Sequence, residues 1–287
     1  MPELPEVETV RRGLEPVLAG ARLRRVEARR PDLRFALPDG FVQRLTGASI
    51  ETLLRRGKYI LAPLDRGETL IIHLGMTGRL EIEDSRRARG AGVSALAAAP
   101  NPKHAHILFE TDAGARVTYY DARRFGFMDL VCSEGLAAHP RFASMGPEPL
   151  EAEFNAAYLA RAFKARGQGA KTLLLDQTIV AGLGNIYVSE ALHRAGASPL
   201  RPAGTLGKPR LVAIVAAVRA VLRDAIAAGG STLRDYANAQ GATGYFQHDF
   251  QVYGREGQPC LASPCTAVIR RVVQAGRSTF YCPRCQR

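Results

Sequence analysis

Four of the five cysteines fall within the last 28 residues, as Cys260-x4-Cys265-x16-Cys282-x2-Cys285. Two close pairs separated by a loop supply four thiolates, the tetrahedral donor set of a structural zinc ion. Coordination by four thiolates is closed, so the metal would hold a hairpin together and would not activate water. At the other end the chain opens Met1-Pro2-Glu3-Leu4-Pro5-Glu6. A small residue at position 2 permits removal of the initiator methionine. Pro2 would then be a secondary amine titrating near about 7.7–8.0, far below lysine at about 10.4. Such an amine can attack the anomeric carbon of a nucleotide and expel the base. The resulting iminium acidifies the adjacent sugar hydrogen, so elimination of the strand follows. A carboxyl group must manage the protons, and Glu3 is adjacent while Glu6 lies one turn on. The same residues also suit the first turn of a helix, and on the local pattern alone that structural reading outweighs the chemical one.

Lys and Arg total 39 against 27 acids, a net charge of +12 that points to a polyanionic partner, nucleic acid first among them. Glu3, Glu6 and Glu8 in the first ten residues argue against an export signal, so the expected location is the cytosol. Leu211 to Ala228 is the most apolar stretch, but Arg219, Arg223 and Asp224 interrupt it, which predicts a buried or amphipathic helix rather than a membrane span.

Residues 3 to 18 place Val7, Val10, Leu14, Val17 and Leu18 at helical spacing, with Gly13 and Pro16 expected to weaken or kink the far end. From 21 to 131, short runs such as Leu70-Ile71-Ile72, Leu80-Glu81-Ile82, Ile107-Leu108-Phe109 and Val117-Thr118-Tyr119-Tyr120 predict a β-sandwich or barrel. Residues 85 to 102 lack a strand pattern and read as an exposed insertion. Cys132, beside Leu130 and Val131, reads as core packing. Helical periods then take over (Phe154, Tyr158, Ala162; Leu211, Val215, Val218, Leu222), with Pro147 and Pro149 marking a linker. The last 37 residues carry six arginines against one acid, Glu256, and Arg270, Arg271 and Arg277 between the cysteine pairs suit a finger that grips phosphates.

Three separated motifs, PELPEVETVRRGL, DQTIVAGLGNIYVSEAL and GRSTFYCPRCQ, together resemble the formamidopyrimidine-DNA glycosylase family over essentially the whole chain. The opening PELPEV looks more like this family than its relative endonuclease VIII. The resemblance implies an α+β protein: an N-terminal β-sandwich with a catalytic N-terminal helix (1–134), a linker (135–152), a helix-two-turn-helix domain (153–250) and a zinc-finger hairpin (251–287). It implies a monomeric base-excision repair enzyme with one structural zinc. That enzyme removes oxidised purines (8-oxoguanine, formamidopyrimidines) from double-stranded DNA and nicks the abasic site by β,δ-elimination.

By the same resemblance, Pro2 is the Schiff-base nucleophile, Glu3 its acid/base partner, and Lys58, taken here as a strand lysine, a phosphate contact near the damaged nucleotide. His73 and Asn185 would hold phosphates, Met76 and Phe125 would fill the gap left by the extruded base, and Arg123 would bond the widowed cytosine. Without the resemblance Met76 and Phe125 read as ordinary core. Arg277 would contact the backbone around the flipped nucleotide, and residues 231–246 would cover the base as a lid.

Four departures stand out: the first cysteine pair is spaced by four residues rather than two, Thr266 follows where glycine is usual, the insertion at 85 to 102 is longer than expected, and Ala105 replaces an acid between His104 and His106, which read as strand residues rather than ligands. The competing readings are an endonuclease VIII-like enzyme for oxidised pyrimidines, a catalytically silent zinc-finger DNA-binding protein, and a zinc-ribbon RNA-associated protein.

Overall fold

The computed structural model describes residues 2–84, 101–231 and 244–287. The expected insertion lies outside the described residues except for its last two positions, as does the expected lid between 232 and 243. The chain divides into two compact units, Met1–Ala143 with Ala228–Tyr245, and Ser144–Ala227 with Phe246–Arg287.

The first unit opens with helix α1 (Leu4–Leu18), followed by β1 (Leu23–Ala28), a short helix α2 (Phe41–Leu45), β2 (Leu54–Arg56), β3 (Tyr59–Pro63), β4 (Glu68–His73), β5 (Arg79–Asp84), β6 (Ala105–Thr111), β7 (Ala115–Tyr120) and β8 (Phe127–Cys132). The strands form two antiparallel four-stranded sheets, β1-β6-β7-β5 and β2-β3-β4-β8. Alternation puts Leu23, Val26, Leu80, Ile107 and Val117 of one sheet, and Ile60, Leu70, Ile72, Met128 and Leu130 of the other, into one shared core. The unit is therefore a sandwich, and Val7, Val10, Leu14 and Leu18 of α1 pack into the same core.

α1 runs on through Pro16, where a weakened or kinked end was expected. Leu14 and Leu18 are buried on either side of the proline, and the Ala19 N–H closes the last turn on the Glu15 carbonyl at 3.0 Å, so packing outweighs the missing donor. Cys132 departs from its expected core position: it is exposed. It is the last residue of β8, opposite Glu68 at the rim of its sheet, where the chain leaves for a 3-10 helix at Ser133–Ala138. His106 lies buried on β6 as expected, but His104 ends a 3-10 turn at Pro102–His104.

The second unit contains α3 (Ala156–Phe163), α4 (Ala170–Leu174), α5 (Asn185–Arg194), α6 (Lys208–Ala227) and the hairpin of β9 (Arg270–Gln274) and β10 (Arg277–Tyr281). α5 is the unit's central helix, with Ile186 through His193 all buried. α6 buries Leu211, Ile214, Val215, Val218, Val221 and Leu222 and turns Arg223 to solvent, the amphipathic helix its spacing predicts. Among the described residues no helix is long and apolar enough to cross a membrane.

Candidate active site and nucleic-acid interface

Pro2 and Glu3 are buried at the head of α1, and Glu3 is its N-cap. Glu3 and Glu6 form a reciprocal capping box in which the Glu3 backbone N–H donates to Glu6 Oε2 at 2.9 Å. Glu6 Oε1 accepts two further bonds, from the Ser231 N–H at 2.8 Å and its hydroxyl at 3.0 Å. One buried carboxylate thus fixes the backbone beside Pro2 and ties it to a residue 225 positions away. Glu8, the next acid on α1, accepts bonds from Arg11, Arg12 and, from β2, Arg55, which anchors the helix on the second sheet. The head of the helix is held from several sides, the kind of fixed geometry that a reacting group requires.

Lys58 is buried, but it sits in the two-residue turn between β2 and β3 rather than in a strand. That turn places it near His73, whose β4 neighbours Tyr59 across the ladder. His73 ends β4, stacked on Phe127 at 5.2 Å and tilted against Tyr59 at 4.9 Å. Burial, and then the charges of Lys58, Arg141 and Arg34, hold its ring down to about 4. The Gly75 N–H donates to Nδ1 at 3.2 Å, so the neutral ring carries its proton on Nε2 and presents that N–H as a donor.

A depressed histidine makes stability depend on pH with a definite sign. Between 6.5 and about 4 the unfolded chain binds more protons at this position, so stability falls as pH drops through that window and levels off below it. The total loss across that window should amount to roughly 3 kcal/mol. NMR should find the His73 ring titrating near pH 4 in the DNA-free protein, and His73→Phe should remove that part of the acid sensitivity. A ring titrating near 6.5 would contradict the electrostatics described here.

Met76 and Phe125 sit on neighbouring loops, β4–β5 and β7–β8, and both are solvent-facing, at 38% and 40% exposure. They are not the ordinary core residues their types suggest. The Arg123 guanidinium lies over the Phe125 ring at 4.6 Å. The loops are pressed together backbone to backbone: Gly75 has φ +61°, and a side chain there would meet Gly126 N at 2.2 Å, while one on Gly126 would meet the Tyr119 hydroxyl at 1.9 Å. Asp121, fully buried, stitches the two loops by accepting bonds from the Thr77 hydroxyl, the Tyr119 hydroxyl and the Gly126 N–H. The Thr77 hydroxyl in turn accepts the Arg123 N–H at 3.2 Å. Three exposed side chains therefore project from a rigid double loop.

In the second unit, Asn185 is the first residue of α5, and its side-chain amide donates to the Ser278 carbonyl of β10 at 2.9 Å. The turn before it is clamped by Gln177, whose amide donates to the Leu175 and Leu183 carbonyls and accepts the Gly182 N–H. The first turn of α5, where the positive end of the helix dipole lies, is thereby fixed in position. Lys171 on α4, 1% exposed, donates to Ser278 O at 2.8 Å and Thr279 Oγ1 at 2.7 Å. Arg277, Arg270 and Arg271 stand exposed on the hairpin.

The four cysteine sulfurs lie within 4.8 Å of one another, with Cys260 to Cys285 at 3.8 Å and Cys265 to Cys282 at 3.6 Å. A tetrahedron built on zinc–sulfur bonds of ~2.3 Å has edges of about 3.8 Å, so the site fits one structural zinc ion. Burial and the three neighbouring sulfurs push the Cys285 thiol far above the ordinary thiol range, while backbone donation from Ala267 holds the Cys265 thiol down to about 7. The four-residue spacing of the first pair does not prevent this convergence. Gln286 locks the second knuckle by accepting the Cys282 N–H and donating to the Ala197 carbonyl.

Asp121, Lys171, Glu190 and His193 were not singled out from the sequence. A buried acid, lysine or histidine carries no local signal of the distant backbone groups it will meet.

Family models match the chain in three consecutive pieces: the formamidopyrimidine-DNA glycosylase N-terminal domain over residues 1–128, its H2TH domain over 145–237, and a zinc finger found in FPG and IleRS over 257–287. The formamidopyrimidine-DNA glycosylases of Phenylobacterium zucineum and Caulobacter vibrioides are 64% and 63% identical to it, with both chains covered in full. The crystal structure of a Lactococcus lactis FPG variant in complex with Fapy-dG containing DNA matches with a TM-score of 0.86 at 34% identity, over 100% of each chain. That of the MutM (FPG) protein of Thermus thermophilus matches at 0.84 and 39%, over 99% of this chain and 98% of the other. With three models laid in order along its length and relatives of nearly two-thirds identity from end to end, the chain belongs to the formamidopyrimidine-DNA glycosylase family.

Proposed function

We propose that the protein is a base-excision DNA glycosylase and abasic-site lyase that removes oxidised purines from double-stranded DNA and nicks the strand through an iminium on Pro2. The observation that carries this reading is the buried Pro2–Glu3 head of α1, fixed through Glu6 and Ser231. In the reaction Pro2 attacks the sugar, Glu3 moves protons to and from the opened ring, and elimination follows from the iminium. Lys58 and the Nε2–H of His73 bind flanking phosphates. Met76 and Phe125 fill the vacated stack, and Arg123 pairs with the opposite cytosine. Asn185 and Arg277 grip the backbone from the second unit, and the zinc keeps the hairpin in shape.

The matching Lactococcus lactis protein has been solved with Fapy-dG containing DNA, with abasic-site DNA and with DNA carrying an oxidised pyrimidine. The substrate class is assigned accordingly, with purine lesions preferred. The division into 1–134, 135–152, 153–250 and 251–287, with a lid over 231–246, a monomeric state and a cytoplasmic location complete the proposal.

Borohydride trapping on matched duplexes tests it. A duplex with 8-oxoguanine opposite cytosine should be nicked and should yield a reduced covalent adduct mapping to Pro2, while an oxidised-pyrimidine duplex should react more slowly. The reverse preference would favour the endonuclease VIII-like reading. Binding without nicking would favour a silent DNA-binding protein.

A further inference from the structure

Helix α5 is fastened to the metal-binding end of its unit at three levels. Asn185 at its start bonds Ser278. Glu190, 1% exposed, accepts the consecutive N–H groups of Gln251, Val252 and Tyr253 at 2.9, 3.0 and 2.8 Å. His193 in the last turn, 8% exposed, brings Nε2 to 3.7 Å from Cys260 Sγ. Backbone groups of the finger itself also donate to these sulfurs: the Ala262 N–H to Cys260, the Ala267 N–H to Cys265, and the Cys285 N–H to Cys282 at 3.4 Å. Among the described residues, His193 is the side chain from outside the finger that reaches a sulfur.

We propose that His193 is a positioning residue of the zinc centre, donating its Nε2–H to the Cys260 thiolate and holding that ligand on the metal. A thiolate is purely an acceptor, so the ring nitrogen facing it serves only as a donor. Four thiolates around one divalent ion carry a net charge of −2, and each N–H donor disperses part of that charge and makes the sulfur less prone to protonation or oxidation. The knuckle of Cys260 spans four residues to Cys265, against two between Cys282 and Cys285, so this loop constrains its pair of ligands less than the other. Because the donor is anchored on α5, retention of the metal is linked to the helix whose first residue is Asn185.

The test compares zinc transfer from the full-length protein to a chromogenic chelator for wild type, His193→Phe and His193→Gln. Phenylalanine fills the space without a donor, whereas the glutamine amide can place an N–H near the position of Nε2. His193→Phe should release zinc roughly 10- to 100-fold faster, the usual cost of losing an outer-sphere partner, and His193→Gln should stay close to wild type. A wild-type rate in His193→Phe overturns the proposal. So does His193→Gln releasing as fast as His193→Phe, since the ring's packing and not its N–H would then matter. If the variants do not fold, the wild-type protein loaded with ¹¹³Cd decides: scalar coupling between the metal and the His193 Hε2 supports the bond, and its absence overturns it.

Discussion

A chain carrying any residue ahead of Pro2 should lose base excision and borohydride trapping by on the order of 10⁴-fold or more, the scale of deleting a covalent nucleophile, while still binding damaged duplex. The amine that attacks the sugar exists only when proline is the terminal residue, since an amide nitrogen has given its lone pair to the carbonyl. Burial and the positive end of α1 both disfavour the charged ammonium, whereas the Glu3 and Glu6 carboxylates favour it. The bonds from Glu6 limit how the extension acts: it blocks the nitrogen, but Glu3 N, Ser231 N and the Ser231 hydroxyl keep their acceptor. Fold and affinity should therefore survive, which separates this outcome from simple misfolding. Single-turnover excision and gel-shift titration on the same preparation check both halves. An extended protein that still excises and traps at the native rate would move the nucleophile to another amine, with Lys58 the first to examine.

What the sequence disclosed and what it hid divide along contact range. Alternating apolar runs disclosed the strands, 3.6-residue spacing disclosed α1 and α6, and the cysteine pairs disclosed the zinc site, because each is a local pattern. Pro2 and Glu3 were legible as a possible site only beside the two later motifs. The bond from Glu6 to Ser231 spans 225 residues, and no window in the sequence contains both ends. Asp121 in YDARRF carries no local mark, yet it joins the β4–β5 loop to the β7–β8 loop. The expectation for Cys132 failed for a related reason: apolar neighbours do not reveal that β8 ends at a rim.

Stripping the zinc should lower affinity for damaged duplex by on the order of 100-fold or more and introduce an early melting transition, both reversed when zinc is restored. Binding to folded thiolates contributes on the order of 10 kcal/mol in small zinc modules, more than the hairpin's own contacts can replace. Among the described residues its core is a small cluster of Val252, Ile269 and the cysteines, with Ala262, Ala267 and Phe280 packed against it. The loss should not stop at the finger. Ser278 and Thr279 on β10 are acceptors for Lys171, and Ser278 also receives the Asn185 amide, so unravelling the hairpin takes two acceptors from a buried ammonium and frees the first residue of α5. A buried charge that loses hydrogen bonds costs several kcal/mol, which the unit recovers by loosening α4 and the helix start. The phosphate contacts proposed for Arg277 and for the α5 turn would be lost together, so the salt dependence of binding should flatten as affinity drops. The sandwich unit, whose core contains none of these residues, should keep its own melting transition. Chelation followed by calorimetry and salt-titrated binding measures all three effects, and a metal-free protein that retained full affinity with an unchanged salt slope would show that the hairpin holds its shape without zinc.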